Sequence, residues 1–302
     1  MQKKHLCLAV MVTAIWGLNF PITKLGLAEI DPLLLTALRF SLAALPWVFV
    51  VKRPQVRFRW LAGYGLIFGV AMWALINQGI ALGVPPGSAS LLIQLSAFFT
   101  LGWGVLWFGE SLNRPQLIGI CLAALGLFSV LVDGSGTVST VGLALVIASA
   151  LAWSIGNVLI KKSKVQEIFA FVVWASLFPP IPLLLLTWLA HGSAPFTALP
   201  AQLHGFTLFS LAFQVYGATL FCYWGWNLLL REYPVSQVAP LSLLIPLFGI
   251  VSSMLILGQW PSTLGLASML LILLALAVGA RPGKAVQAGR QGGGGRRENL
   301  QR

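Results

Sequence analysis

Amide and aromatic side chains stand inside long apolar stretches of this chain, where water is scarce. Asn19, Asn77, Gln78, Gln94, Asn157 and Asn227 each carry both a donor and an acceptor. Trp73, Tyr216, Tyr223 and Trp226 add indole or hydroxyl donors to broad apolar faces. A polar group inside a membrane must find a partner, line an aqueous cavity or cost free energy. Amides that hold a solute by paired hydrogen bonds, between aromatic walls, perform recognition rather than bond making. These ten residues form the candidate binding set. For one amide, linking two helices is the simpler role, worth about 0.6–2 kcal/mol. For the set, a shared cavity is favoured.

Groups that make or break bonds are missing from the same stretches. The histidines His5, His191 and His204 fall at edges or in loops, and Glu110, Asp133, Glu167 and Glu232 fall at the ends of apolar runs. No nucleophile with its base and no carboxylate pair can be assembled, so an enzyme is not expected. Cys7, Cys121 and Cys222 show no paired spacing, and neither a metal nor another cofactor is expected. Arg39, inside the second stretch, is read as snorkelling outward or pairing with Glu29 or Asp31. Lys24 is placed at the outer rim, where it would attract a carboxylate.

The elements that position these groups are ten apolar stretches. They run from about 6 to 23, 33 to 51, 61 to 83, 88 to 108, 115 to 132, 141 to 160, 168 to 190, 205 to 229, 235 to 257 and 262 to 280. Each has the roughly 20-residue length that spans a hydrocarbon core about 30 Å thick. The chain is 58% hydrophobic and 9% charged, with a mean hydropathy of +0.89, against roughly 25% charged in soluble domains. It reads as an all-α polytopic membrane protein lodged in a lipid bilayer. The first stretch contains Trp16, Asn19 and Pro21 and lacks a small-residue cleavage site, so it is expected to remain as a span.

Of the 19 Lys and Arg, all but Lys24 and Arg39 fall in alternate gaps or in the tail. Basic loops stay on the cytoplasmic side, which puts both termini there. A net charge of +12 on a soluble protein would point to nucleic acid. Here the charges sit in short loops facing lipid headgroups, and nucleic acid is excluded as a partner. Residues 281–302, rich in Gly, Arg and Gln, read as a disordered basic cytoplasmic tail.

Two halves resemble each other. Trp16 precedes Lys24 by the same eight residues that separate Trp153 from Lys161, while Pro85 and Gly109-Glu110 correspond to Pro234 and Gly258-Gln259. The division is residues 1–135 and 136–280, five stretches each. Five is odd, so the second half enters the membrane from the opposite side, the symmetry of an alternating-access carrier. Polar residues avoid spans five and ten, which are left to face lipid or, in an oligomer, a partner subunit. Pro21, Pro179, Pro180, Pro182, Pro240 and Pro246 mark kinks, the last two as gating hinges or fixed bends. Trp47, Trp60, Trp107, Trp188 and Trp260 read as interfacial, and Trp73, Trp153 and Trp226 as mid-span.

The run Trp16-Gly17-Leu18-Asn19-Phe20 with Lys24 and Gly26 resembles the opening of the drug/metabolite transporter superfamily. Arg39-Phe40, Gly109-Glu110 with Gly119, and Ala239-Pro240-Leu241-Ser242-Leu243-Leu244-Ile245-Pro246 extend the likeness over about residues 5 to 280. Within it, the chain is most similar to EamA-type exporters of cysteine and O-acetylserine. That resemblance implies ten transmembrane helices in two inverted five-helix repeats, a bacterial inner membrane and efflux of small amino-acid metabolites. Gln259 departs from the Glu often found there, at a span end with a structural reading. One rival is a carrier of lipid or nucleotide sugar. Nucleotide phosphates call for deep cations, and only Arg39 is available. Another is a non-transporting sensor or assembly subunit, for which the short tail offers no signalling domain.

Overall fold

A computed structural model describes residues 1–108, 114–132, 139–233, 238, 241–242, 244–260 and 262–279, and among these there is no strand. The helices are α1 (Lys3–Leu27), α2 (Pro32–Val48), α3 (Phe58–Ala81), α4 (Pro86–Leu92), α5 (Leu95–Phe108), α6 (Arg114–Val132) and α7 (Thr140–Ser163). Then follow α8 (Ile168–Ala175), α9 (Pro180–His191), α10 (Ala194–Gln202), α11 (Gly205–Glu232), α12 (Leu244–Leu257) and α13 (Thr263–Gly279). Five segments, α1, α3, α7, α8 with α9, and α11, are long and apolar enough to cross a membrane. The other apolar helices are shorter.

Local chemistry sets several boundaries. Asp31 caps α2, its Oδ1 accepting from the amides of Leu33 and Leu34 at 2.9 Å each, with Pro32 at the first helical position. Pro179, Pro180 and Pro182 lack the N–H that would continue α8, so the seventh expected span divides into α8 and α9. The fourth also divides, α4 ending at Leu92 and α5 starting at Leu95. Residues 191–204, between the seventh and eighth expected spans, contain α10. Pro246 lies in the first turn of α12, where a missing N–H costs little. Glu110, Asp133, Pro234, Pro240 and the 281–302 tail lie outside the described residues.

Two π-helical stretches interrupt α-winding, Ile67–Ala74 within α3 and Phe213–Phe221 within α11. Such stretches are frequent at functional sites. Nothing in residue type or periodicity announces them.

The packing is symmetric under exchange of halves. Where α1 packs on α11 and α12, α7 packs on α3 and on α4 with α5; α2 packs on α9, and α6 on α13. Swapping α1 with α7, α2 with α8 and α9, α3 with α11, α4 and α5 with α12, and α6 with α13 maps these pairs onto one another. The α1–α12 seam is tight because Gly17 has no side chain: a Cβ there would stand 2.4 Å from Phe248 Cβ and 2.8 Å from the Gly249 amide. The carbonyl of Gly17, deprived of its helical donor by Pro21, accepts from Ser252 Oγ at 3.5 Å. In the α5–α7 seam, Trp103 Nε1 donates to Ser154 Oγ at 2.9 Å.

The nearly pure apolar pair α6 and α13 stands at the margin, with Leu117, Leu125 and Leu270 exposed. One end of the bundle is tied by Arg231 donating to the Gln166 carbonyl (2.7 Å), Trp174 to the Val51 carbonyl (2.9 Å) and the His5–Tyr233 bond (2.7 Å). At the other end, Asp31 Oδ2 meets His191 Nδ1 at 3.1 Å, and Lys24 donates to the Ile80 carbonyl at 3.3 Å. Lys24 thus gives one of its three ammonium donors to backbone at this end of the bundle.

Candidate solute-binding site

Trp16 organises the centre. Its indole donates to the Ala218 carbonyl at 3.0 Å, and its ring centroid lies 5.4–5.5 Å from those of Trp153, Tyr223 and Trp226. From Tyr223 the aromatic contacts continue to Phe68 (4.9 Å), then to Tyr64 stacked on Phe68 (4.3 Å), then to Phe171 (5.0 Å). Asn227 Nδ2 donates to the Tyr64 hydroxyl at 3.2 Å. Residues of α1, α3, α7, α8 and α11 thus meet in one buried aromatic assembly. A narrow cleft of about 10 Å³, room for little more than one water, enters beside Tyr64, Phe68, Val172, Thr219 and Tyr223.

Arg39 is fully buried in this assembly. Its Cζ lies 3.7 Å from the centroid of the Trp73 ring, and its Nε donates to Thr219 Oγ1 at 2.6 Å. Thr219 Oγ1 in turn donates to the Gln214 carbonyl at 2.7 Å, five residues back. The Trp73 indole donates to the Tyr223 hydroxyl. The two π-helical stretches therefore supply both groups that grip the guanidinium, Trp73 from α3 and Thr219 from α11. The expectation that Arg39 snorkels outward or pairs with Glu29 or Asp31 is overturned. Asp31 is committed to capping α2 and to His191, and Arg39 points inward because Trp73 and Thr219 receive it there.

The ten expected residues are distributed unevenly. Trp73, Tyr223, Trp226 and Asn227 join the buried assembly. Asn77, one turn beyond Trp73, is buried and donates from Nδ2 to Thr36 Oγ1 at 2.9 Å. Asn19 and Gln94 are fully buried, Gln94 with a long bond (3.4 Å) to the Ser90 carbonyl. Gln78 and Asn157 are half-buried. Tyr216 is 55% exposed and stands apart from the others. The residues that sequence reasoning left out are Trp16, Thr36, Tyr64, Thr219 and Arg39. Arg39 had a signal, since an ionisable residue inside a span is a functional candidate by default.

Several buried polar atoms find no hydrogen-bond partner among the described residues. They are both amide atoms of Asn19, Asn77 Oδ1, Gln94 Oε1, Gln214 Oε1, the indole nitrogens of Trp153 and Trp226, and Nη1 and Nη2 of Arg39, with Thr23 Oγ1, Trp47 Nε1 and Gln202 Oε1 besides. Native interiors leave few such groups, and each calls for a water, ion or solute. The arrangement offers donors and acceptors to a small polar molecule between aromatic walls.

Residues 3–132 and 140–279 each match the EamA-like transporter family, and the chain belongs to that family. It is a membrane transporter of two-repeat, all-helical build. Among its relatives, a probable amino-acid metabolite efflux pump of Salmonella typhimurium is 38% identical over 285 residues, covering 92% of this chain and 95% of that protein. A probable amino-acid metabolite efflux pump of Escherichia coli is 37% identical over 298 residues, covering 96% and 100%. A solved crystal structure at 17% identity shares the fold, with a TM-score of 0.66 over 96% of this chain and 99% of that one.

Proposed function

We propose that this protein exports small amino-acid-like metabolites, of the cysteine and O-acetylserine class, across a bacterial inner membrane by alternating access. Residues 1–135 and 136–280 act as inverted five-helix repeats, with both termini cytoplasmic. The halves rock about the seams α1–α12 and α5–α7, opening the central aromatic cavity to either side in turn. Asn19, Trp73, Asn77, Tyr223, Trp226 and Asn227 line the solute's path, with Gln78, Gln94 and Asn157 nearby. The partner is the small solute, and no cofactor takes part.

The observation that carries this reading is the set of sealed, unpartnered polar atoms at the centre of the bundle, above all the Asn19 amide. A helix-linking amide would spend its donor and acceptor on a neighbouring helix; among the described residues Asn19 spends neither, and Asn77 spends only its donor, on Thr36. The names of the two efflux-pump relatives support the solute class. The test is uptake into inverted vesicles containing the purified protein. Cysteine, O-acetylserine, threonine and aromatic amino acids are compared with and without a pH gradient. Saturable uptake of at least one of them is expected, and none above empty vesicles would refute export of this class.

A further inference from the structure

We propose that Arg39 anchors the carboxylate of the transported solute, so that the carrier selects monocarboxylates bearing a cationic end. This rests on the export reading and names the chemical feature its site selects. Burying a guanidinium costs several kcal/mol unless its charge and donors are met. Membrane-embedded ionisable residues ordinarily pair with one another or with backbone carbonyls. Arg39 does neither at its forked end. Nε is taken by Thr219, one face is covered by Trp73 at 3.7 Å, and Nη1 and Nη2 have no partner among the described residues.

A guanidinium held by its stem and face, with the parallel N–H pair left over, is built for bidentate binding of a planar carboxylate. Thr219 and Tyr223, which line the cleft, also adjoin the guanidinium through the Thr219 bond and the Trp73–Tyr223 bond. The fork itself is sealed behind these residues, so the solute's carboxylate reaches it when the two halves part. Its ammonium then meets the faces of Tyr64, Phe68 and Tyr223, which attract cations. Lys24, at one end of the bundle, is bonded to the Ile80 carbonyl. With one guanidinium at the centre, a single negative charge is matched and a phosphate dianion is not.

Binding is tested on the full-length protein in detergent by tryptophan fluorescence and thermal shift, with L-cysteine, L-cysteine methyl ester, sodium acetate and sodium chloride. Export is read separately in inverted vesicles. The unaltered protein is expected to bind cysteine about 30-fold or more tightly than the ester, and acetate to compete with cysteine where chloride does not. Arg39→Gln is expected to weaken cysteine binding by about 30-fold or more while leaving the ester within about threefold. Arg39→Lys keeps the charge and loses the fork; it should retain a smaller preference for cysteine, and it serves if the glutamine variant fails to fold. Either variant discriminating as well as the unaltered protein overturns the anchor, as does chloride competing as strongly as acetate. Export of the ester equal to that of cysteine also overturns it, leaving export intact. Acetate binding that depends on Arg39, in vesicles that take up no amino acid, upholds the anchor and overturns export.

Discussion

Replacing Asn19 by Leu separates a recognition amide from a structural one, because the two roles give opposite signs for stability. Asn19 is fully buried, and neither Nδ2 nor Oδ1 finds a hydrogen-bond partner among the described residues. Such an amide costs the folded protein about 1–3 kcal/mol. Leucine removes that cost and introduces reshaping of about 1 kcal/mol. The net is about 0–2 kcal/mol in favour of the variant, which corresponds to a melting temperature unchanged or raised by roughly 0–8 °C. Transport goes the other way. A solute group left unpaired by leucine costs about 1–3 kcal/mol, or about 5- to 150-fold in export. Melting in detergent followed by size-exclusion fluorescence, beside vesicle uptake normalised to folded protein, gives both numbers. A variant that melts lower while exporting normally per folded molecule would refute the reasoning, because Asn19 would then be holding helices together.

Other expectations are simpler. Asn77→Leu and Asn157→Leu should each abolish export while the protein still reaches the membrane, by membrane fractionation and vesicle uptake; Asn77→Leu should also melt lower, since the bond to Thr36 is lost, worth about 0.6–2 kcal/mol. Gly17→Val places a branched side chain where even a Cβ meets Phe248 at 2.4 Å, so the α1–α12 seam must open, with a loss of about 1–3 kcal/mol or more visible as a lowered melting temperature. Asp31→Ala removes the α2 cap and should cost about 1 kcal/mol, measured in the same melt. Tyr216→Ala, on a surface 55% exposed, should leave uptake within about twofold of the unaltered protein, a change worth less than about 0.5 kcal/mol.

The all-helical, two-repeat build was legible because it rests on quantities that sequence displays directly, stretch length and the alternation of basic gaps. Burial of Trp73, Trp153 and Trp226 followed from their mid-span positions, and exposure of Trp188 and Trp260 from terminal ones. The site was harder. Hydropathy gives depth along a span but not which side of the helix faces inward, so Tyr216 was grouped with Tyr223 although the two lie on different faces of α11. The π-helical stretches compound this, because they rotate all that follows relative to an ideal helix. Arg39 was misplaced for a related reason. Snorkelling is the cheapest course for an isolated cation on one helix, and the inward course becomes available only once Trp73 and Thr219 arrive from two other helices. Trp16, one turn before Asn19, was noticed as a repeat marker and not as the hub that it is.

The paired stretches Ile67–Ala74 and Phe213–Phe221 make chain length itself part of the site. One residue of an α-helix turns the chain by about 100°. A π-helical stretch holds about one residue more than α-winding needs for the same turn, so trimming a single position would let it relax to α-winding with its flanks nearly in place, shifting Trp73 or Thr219 inside it relative to Arg39. A deletion there would alter what the carrier can hold even if every side chain named above were still present, whereas most substitutions between them would not.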